Sequence, residues 1–341
     1  MERYSISAVA LALIAVVGAG AMRAEGQCLR RPLRPCRSPL YDTDMDICLA
    51  RAAEEQGCQP HGWWSQWPKM TARVNGVFLD RENIPSLAFA EDATTHAEVL
   101  NTRSANLGWG SGMGADVVSH WPNGIDFDIS FFAMQDWNAL ATASGGNLIF
   151  PLISPTEIFD TVSVSYDSDL YSLEANMRWP VHPILSLLVG FRWVELTEQM
   201  TFFAGSNLYI GTLTLKTANN IYGVQAGADV VLWQPLQCFR VDGTFKAGVY
   251  KNQPLNRLHA TGDFGPFFAK VGSGSQTSFL GEILFNATFQ WSEHVAVRGG
   301  YRAMWLTGVA FARRDSTGSL AVNMRGNPFF HGAHISLEYR W

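Results

Sequence analysis

Long segments of alternating polarity constrain this sequence more than any other feature. From Tyr171 to Trp179, apolar and aromatic side chains occupy every second position, and Glu174 and Arg178 are among the polar residues between them. A period of two places successive side chains on opposite faces of a β-strand. The sequence therefore predicts strands with one apolar and one charged face. The same pattern recurs in Ile125 to Ala133, Phe239 to Val249 and His294 to Trp305.

Ten strands of this kind are predicted, and most of them are long. A tilted transmembrane strand needs about 9 to 11 residues, whereas strands of soluble proteins have about five or six. Twelve strands are the alternative, if Thr161 to Tyr166 or Asn207 to Leu215 pairs independently. The ten predicted strands are Met70 to Leu79, Gly112 to His120, Gly124 to Trp137, Val162 to Trp179, Leu185 to Gln199, Ala218 to Trp233, Phe239 to Tyr250, Gln276 to Trp291, His294 to Leu306 and His331 to Trp341.

The connections between these strands alternate in length. Such alternation is typical of an up-and-down outer-membrane barrel, in which periplasmic turns are tight and extracellular loops are longer. The short connections are Trp121 to Asn123, Pro180 to Ile184, Gln234 to Cys238, and Ser292 to Glu293. The long connections are Asp80 to Ser111, Asn138 to Thr161, Met200 to Thr217, Lys251 to Ser275 and Thr307 to Phe330.

Tryptophan residues gather at the strand ends beside the short connections. Amphipathic rings form girdles at membrane–water interfaces. A soluble sandwich or lipocalin would also alternate in polarity, but would not collect tryptophan along one edge. We therefore predict an all-β fold, a transmembrane antiparallel up-and-down β-barrel. The predicted girdle and C-terminal insertion signal comprise Trp179, Trp233, Trp291, Tyr339 and Trp341.

The N-terminal region predicts export and a small separate segment. Residues 1–24 join an apolar stretch to small residues ending at Ala24, as secretory signal peptides do, with an uncleaved anchor as the alternative. Residues 25–69 are predicted to be a periplasmic extension rich in Cys, Pro and Trp, and residues 70–341 the barrel. Two disulfides of open connectivity are predicted in the extension, with a metal site as the alternative. Their cysteines are Cys28, Cys36, Cys48 and Cys58.

Composition and motifs narrow the function classes. With 47% hydrophobic and 16% charged residues, the chain is too apolar for general disorder, and its net charge of -5 gives no basic footprint for nucleic acid. The sequence lacks the motifs G-x-S-x-G, H-E-x-x-H and the Walker loop. We therefore predict no enzyme and no cofactor. A hydrolase is the weaker alternative, based on His259 followed by Asp263 and on the single histidines His96 and His331.

If the apolar faces meet lipid, the charged faces line the lumen. A ten-strand barrel is narrow, so these charges have two interpretations. They pair across the lumen and plug it, or they line a restricted pore for small polar solutes that Arg298 and Arg302 bias towards anions. The lumen-lining candidates are Asp126, Asp128, Glu174, Arg178, Arg192, Asp229, Arg240, Asp242, Lys246, Glu282, Arg298, Arg302, Glu338 and Arg340, with Asp136 and Gln225 on the same faces.

Several strand sequences resemble the β-barrel porins of planctomycete bacteria. The residues that carry the resemblance are Tyr171 to Arg178, Gly190 to Leu196, Asn220 to Asp229, Lys246 to Tyr250 and His331 to Trp341. It covers roughly residues 70–341 and implies a barrel in the outer membrane of a Gram-negative-type bacterium, with no established substrate. The last strand also resembles the general insertion signal of such proteins, which implies recognition by the barrel-assembly machinery. We expect a porin or narrow channel in contact with outer-membrane lipid, or alternatively a plugged surface-display barrel.

Overall fold

The structure analysed is a computed structural model that describes residues 69–82, 88–101, 104–105, 107–150, 154–207, 210–263, 270–311 and 325–341. The predicted signal peptide lies outside the described residues. So does the predicted extension as far as residue 68, including Cys28, Cys36, Cys48 and Cys58.

The described chain is almost entirely β-strand. Nowhere in these ranges is there a helix of the length and apolarity needed to cross a membrane. The strands are β1 (Lys69–Glu82), β2 (Ala88–Asp92), β3 (Glu98–Asn101), β4 (Trp109–His120), β5 (Asp126–Phe150), β6 (Ser154–His182), β7 (Leu185–Gly205), β8 (Ile210–Leu236), β9 (Phe239–Gly262), β10 (Lys270–Ser273), β11 (Gln276–Gln290), β12 (Val295–Thr307) and β13 (Phe329–Arg340).

Ten of these strands form a closed antiparallel ring. Each pairs with its neighbour along the chain, and β1 pairs with β13 to close the ring, with Val74 opposite Leu337. The ring strands are β1, β4, β5, β6, β7, β8, β9, β11, β12 and β13. The prediction of a ten-stranded up-and-down barrel is confirmed. The twelve-strand alternative is wrong, because Thr161 to Tyr166 lies within β6 and Ile210 to Leu215 lies within β8.

Three of the predicted long loops are wrong, because strand pairing continues through most of each. Within Asn138 to Thr161, β5 runs to Phe150 and β6 begins at Ser154; Met200 to Thr217 and Lys251 to Ser275 are likewise mostly strand. As a result, β5 to β9 have 21 to 29 residues, whereas the other five ring strands have 12 to 15. One side of the wall therefore rises far beyond the other. We call this the cap end, and the opposite end, with the short turns, the turn end.

Polarity inverts along the long strands, which explains why their upper halves look like loops in the sequence. On β7, the outward residues are apolar from Leu187 to Trp193 and become mainly polar from Glu195. The inward residues change in the opposite sense, from Arg192 to a buried and mainly apolar run that begins at Val194 and is interrupted by Glu198. A strand that is apolar outside and polar inside suits lipid, and the reverse pattern suits water. The wall therefore has a lipid-type lower part and a water-type upper part.

A buried apolar cluster, here called the cap core, fills the ring at the cap end. The ring centroids of Phe89 and Phe202 are 5.5 Å apart, and those of Phe150 and Phe202 are 5.6 Å apart. Phe89 belongs to the β2–β3 hairpin, which joins the wall where Glu91 pairs with Ile149 on β5. The cap core includes Leu79, Phe89, Trp137, Phe150, Phe159, Val162, Phe202, Leu213, Leu215, Val309, Phe311 and Phe330.

Gly110 on β4 leaves room for the largest side chain of the cap core. A Cβ atom at this position would lie 2.5 Å from Nε1 of the Trp137 indole. The indole instead packs there and donates a hydrogen bond to the backbone oxygen of Leu79 at 3.2 Å. Glycine, which has no side chain, is thus required at the position where the indole packs against β4.

Candidate functional site

The charged residues predicted from strand parity occupy the inside of the ring. Seven are buried: Asp128, Glu174, Arg192, Asp242, Lys246, Glu282 and Glu338. Seven are half-buried: Asp126, Arg178, Asp229, Arg240, Arg298, Arg302 and Arg340. Gln225 is buried among them, and the side chain of Asp136 lies outside the described set. The opposite face of the same strands carries exposed apolar residues such as Leu173, Phe191 and Val224.

Five of these residues meet at mid-height in what we call the central ion cluster: Glu174, Arg192, Lys246, Glu282 and Arg302. Nη1 of Arg192 lies 2.6 Å from Oε2 of Glu282 and 3.4 Å from Oε1 of Glu174. Nζ of Lys246 lies 2.8 Å from a carboxylate oxygen of each glutamate. Nε of Arg302 lies 3.1 Å from Oε1 of Glu282. Three cations therefore surround two carboxylates.

Neutral polar groups and one aromatic ring add further contacts to the central ion cluster. Gln225 donates a hydrogen bond to Oε2 of Glu174 at 2.8 Å and accepts one from the Tyr250 hydroxyl at 3.0 Å. Nε of Arg192 donates to the Ser172 hydroxyl at 3.0 Å. The Arg302 guanidinium stacks 4.5 Å from the ring centroid of Phe132. Arg302 is on β12, which pairs with β11 and β13, whereas Phe132 is on β5, so this contact crosses the lumen. Buried charges are tolerated where such partners replace water.

The members of the central ion cluster come from β6, β7, β9, β11 and β12. Arg192 and Glu282 reach each other across the lumen, and both are completely inaccessible to solvent. Their contact therefore bridges walls that are not paired in the sheet. Side chains of the central ion cluster therefore occupy the middle of the ring.

A second layer of ion pairs lies nearer the turn end. Arg178 contacts Asp128 and lies 2.8 Å from Asp229. Nη2 of Arg298 donates to Oδ2 of Asp242 at 2.5 Å. Below this layer, a cavity of about 770 Å³ opens at the turn end, with Arg240, Thr288 and Arg340 among its lining residues. The lumen is thus open to solvent at its turn-end mouth.

A further buried ion pair lies between the central ion cluster and the cap core, and the sequence analysis did not predict it. Arg81 contacts Glu198 and donates to the Ser168 hydroxyl at 2.6 Å, and the Tyr166 hydroxyl donates to Glu198 at 3.0 Å. The sequence predicts a strand that ends at Leu79 and so places Arg81 in a loop, whereas β1 continues to Glu82. Arg81 has the same odd-numbered parity on β1 as the inward-facing Arg73, and this parity indicates an inward side chain.

The residues of the weaker hydrolase alternative do not form a dyad. His259 is exposed on β9, opposite Thr214. Asp263 accepts a hydrogen bond from the backbone amide of Ile210 at 2.8 Å. His331 contacts Glu82 and Tyr301 on the outer surface of the wall.

Comparisons with known proteins give matches of fold only. No protein-family model matches the sequence, and no curated protein matches it. Among solved structures, the chain is similar to the outer membrane protease OmpT from Escherichia coli (TM-score 0.41, 10% identity, 80% of this chain and 97% of that one). It is also similar to the translocator domain of the autotransporter NalP from Neisseria meningitidis (TM-score 0.40, 10% identity, 88% of this chain and 96% of that one). A third similar structure is a Pseudomonas aeruginosa FadL homologue (TM-score 0.31, 8% identity, 80% of this chain and 90% of that one).

Proposed function

We propose that this protein is a plugged bacterial outer-membrane barrel that holds a folded cap at the cell surface. The observation that carries the proposal is the filled interior. The central ion cluster, the Arg81–Glu198 pair and the cap core succeed one another along the axis, and their members are buried except for the half-buried Arg302. The proposal assigns the protein no chemical reaction.

The outer surface supports placement in an outer membrane. An apolar band of outward side chains surrounds the lower part of the ring, and Trp233 and Trp291 are exposed at its turn-end margin. The start of β1 and the end of β13 lie on this margin, where Met70 and Trp341 exchange backbone hydrogen bonds at 3.1 Å. Short turns and both strand termini on one side are typical of the periplasmic side of such barrels. The cap then faces outward, and outer-membrane lipid and the barrel-assembly machinery are the proposed partners.

The plugged barrel is preferred here to a planctomycete-type porin because of what a solute would have to cross. A polar solute needs a hydrated path, and selective pores leave their lining charges accessible to it. Arg192 instead forms ion pairs with Glu174 and Glu282. Separating such a buried network leaves unpaired charges in a low-dielectric interior, which is unfavourable. The cap core would add an apolar barrier above it.

Planar bilayers test the proposal directly. The full chain, shown to be inserted by protease protection of its strands, should produce no discrete conductance steps in either orientation. A barrel of known conductance, reconstituted in the same lipid, serves as the positive control. Regular steps from the wild-type chain would favour the narrow channel instead, and reduced anion selectivity in Arg298→Gln or Arg302→Gln would then identify the conducting wall.

A further inference from the structure

Three potential metal ligands lie together on the outer surface of the wall, outside the lumen. They are Asp80 and Glu82 of β1 and His331 of β13, and their donor atoms lie within 4.8 Å of one another. Asp80 and His331 are directly opposite in the β1–β13 register, and Glu82 follows on the same face of β1. The group therefore spans the seam where the first and last strands close the ring.

The spacing of two of these groups fits a tetrahedral metal ion. Oε1 of Glu82 lies 3.3 Å from Nε2 of His331. Zinc bonds of about 2.0–2.1 Å in a tetrahedral site place neighbouring donor atoms about 3.3–3.4 Å apart. Because the side chain of Glu82 is 55% exposed, it is free to adjust towards an ion shared with Asp80.

Neighbouring groups hold two of the three ligands in place. The Tyr301 hydroxyl lies 2.8 Å from Nδ1 of His331, which leaves Nε2 directed at the carboxylates. Oδ1 of Asp80 accepts a hydrogen bond from the backbone amide of Arg81 at 2.8 Å, and its second oxygen remains for a ligand. Outer contacts of this kind orient metal-binding imidazoles and carboxylates.

Aromatic rings surround the imidazole. The ring centroid of Phe329 lies 5.2 Å from that of His331, and the ring centroid of Trp109 lies 6.3 Å from it. These rings reduce the access of water to His331, whose side chain is only 20% exposed. A cation beside two carboxylates is held more strongly where water is partly excluded.

We propose that Asp80, Glu82 and His331 bind a divalent transition-metal ion that clips the first strand of the barrel to the last. An imidazole with two carboxylates favours zinc and similar ions over magnesium, which prefers oxygen ligands and water. The proposal does not depend on whether the lumen is open or plugged.

Zinc titration of the tag-free full chain in detergent tests the site. The wild-type chain should bind one zinc ion at this site, and His331→Gln and Glu82→Gln should each weaken that binding at least tenfold. Tyr301→Phe should weaken it about tenfold through loss of orientation. His96→Gln is the matched control, because His96 is an exposed histidine 3.9 Å from Glu91 elsewhere at the cap end.

The four N-terminal cysteines remain in every variant, so zinc bound by thiolates does not respond to these substitutions. Cobalt substitution gives an independent readout, since a thiolate site shows sulfur charge-transfer bands and the proposed oxygen–nitrogen site does not. Zinc should also raise the temperature at which the wild-type ring opens, but not that of His331→Gln. If the wild-type chain binds no zinc, or binds it within threefold as well after His331→Gln and Glu82→Gln, the proposal is wrong and the three residues form only a hydrogen-bonded surface cluster.

Discussion

Individual charged residues in this barrel depend on partners from distant strands. Strand parity predicts that Arg192 faces inward, because the apolar residues of β7 alternate with it. The sequence does not predict its partner, since Glu282 lies 90 residues away on a strand that does not pair with β7. Pairing across a lumen depends on ring diameter and side-chain reach, neither of which is encoded locally. The sequence therefore identifies the members of the central ion cluster but not their contacts.

Removing Arg192 should strongly destabilise the protein. In Arg192→Met, Glu174 and Glu282 lose a buried cation, and breaking a buried ion network by removing one partner costs about 3–5 kcal/mol. Arg340→Met is the matched control, because Arg340 is half-buried at the mouth and pairs with Glu338 at 2.8 Å; its loss should cost less than about 1 kcal/mol. Reversible guanidinium unfolding in lipid vesicles measures both values. Equal effects would contradict the buried network.

The outward face of β6 provides a test of membrane depth. Ala175 is exposed four residues above Trp179, near the middle of the apolar band, and Val181 is exposed beside the turn. Ala175→Arg should cost about 2–4 kcal/mol, whereas Val181→Arg should cost about 0–1 kcal/mol. Vesicle unfolding again gives the difference. A small cost at Ala175 would mean that this face does not contact hydrocarbon.

At the scale of elements, the ring strands were predictable where lipid-type alternation holds, and not beyond it. The turn after β6 is local, and Trp179 and Leu185 mark its flanks in the sequence. The upper part of β7 keeps its period of two but reverses its polarity. Phe202 therefore lies in a segment without lipid-type alternation, which the sequence analysis places in a loop. Its partner Phe89 comes from a short hairpin more than a hundred residues earlier. The cap core therefore required three-dimensional information.

The β2–β3 hairpin should open independently of the ring. Phe89 is completely buried against Phe202, and Phe89→Ala removes this contact at a cost of about 3–5 kcal/mol. Hydrogen exchange should accelerate in residues Ala88–Asn101 and remain slow in β6 and β7. Val99→Ala, at an exposed position of the same hairpin, should leave exchange unchanged. Uniform acceleration along the whole chain would show that cap and ring unfold as one unit.

For the whole molecule, ring closure is the property on which every other feature depends. Even strand number and short turns predicted that the first and last strands meet, and the structure shows their register. The height difference between β5–β9 and the other ring strands was not predictable, because it arises from the length over which hairpins remain paired outside lipid. The barrel is consequently lopsided, with a tall wall, a short wall and the seam within the short one.

A cysteine pair across the seam would verify this register. Val74 and Leu337 are direct partners with outward side chains, so Val74→Cys with Leu337→Cys should form a disulfide in a Cys238→Ser background. Mass spectrometry of digested protein identifies the cross-linked peptide. The pair Val74→Cys with Leu173→Cys, on strands that are not neighbours, is the control and should remain unlinked. Absence of the seam disulfide would contradict ring closure.

The seam also sets the order of events in assembly. Arg73 and Glu338 are joined at 2.6 Å although 265 residues separate them, whereas β6 and β7 meet across a few residues. Each doubling of a closed loop costs about 0.6 kcal/mol in chain entropy, so closing the seam costs about 4 kcal/mol more than closing a hairpin. Hairpins should therefore form first and the seam last. Until that final step, β1 and β13 are unpaired edge strands. A partner that binds the unfinished barrel by strand pairing would therefore bind at these two edges.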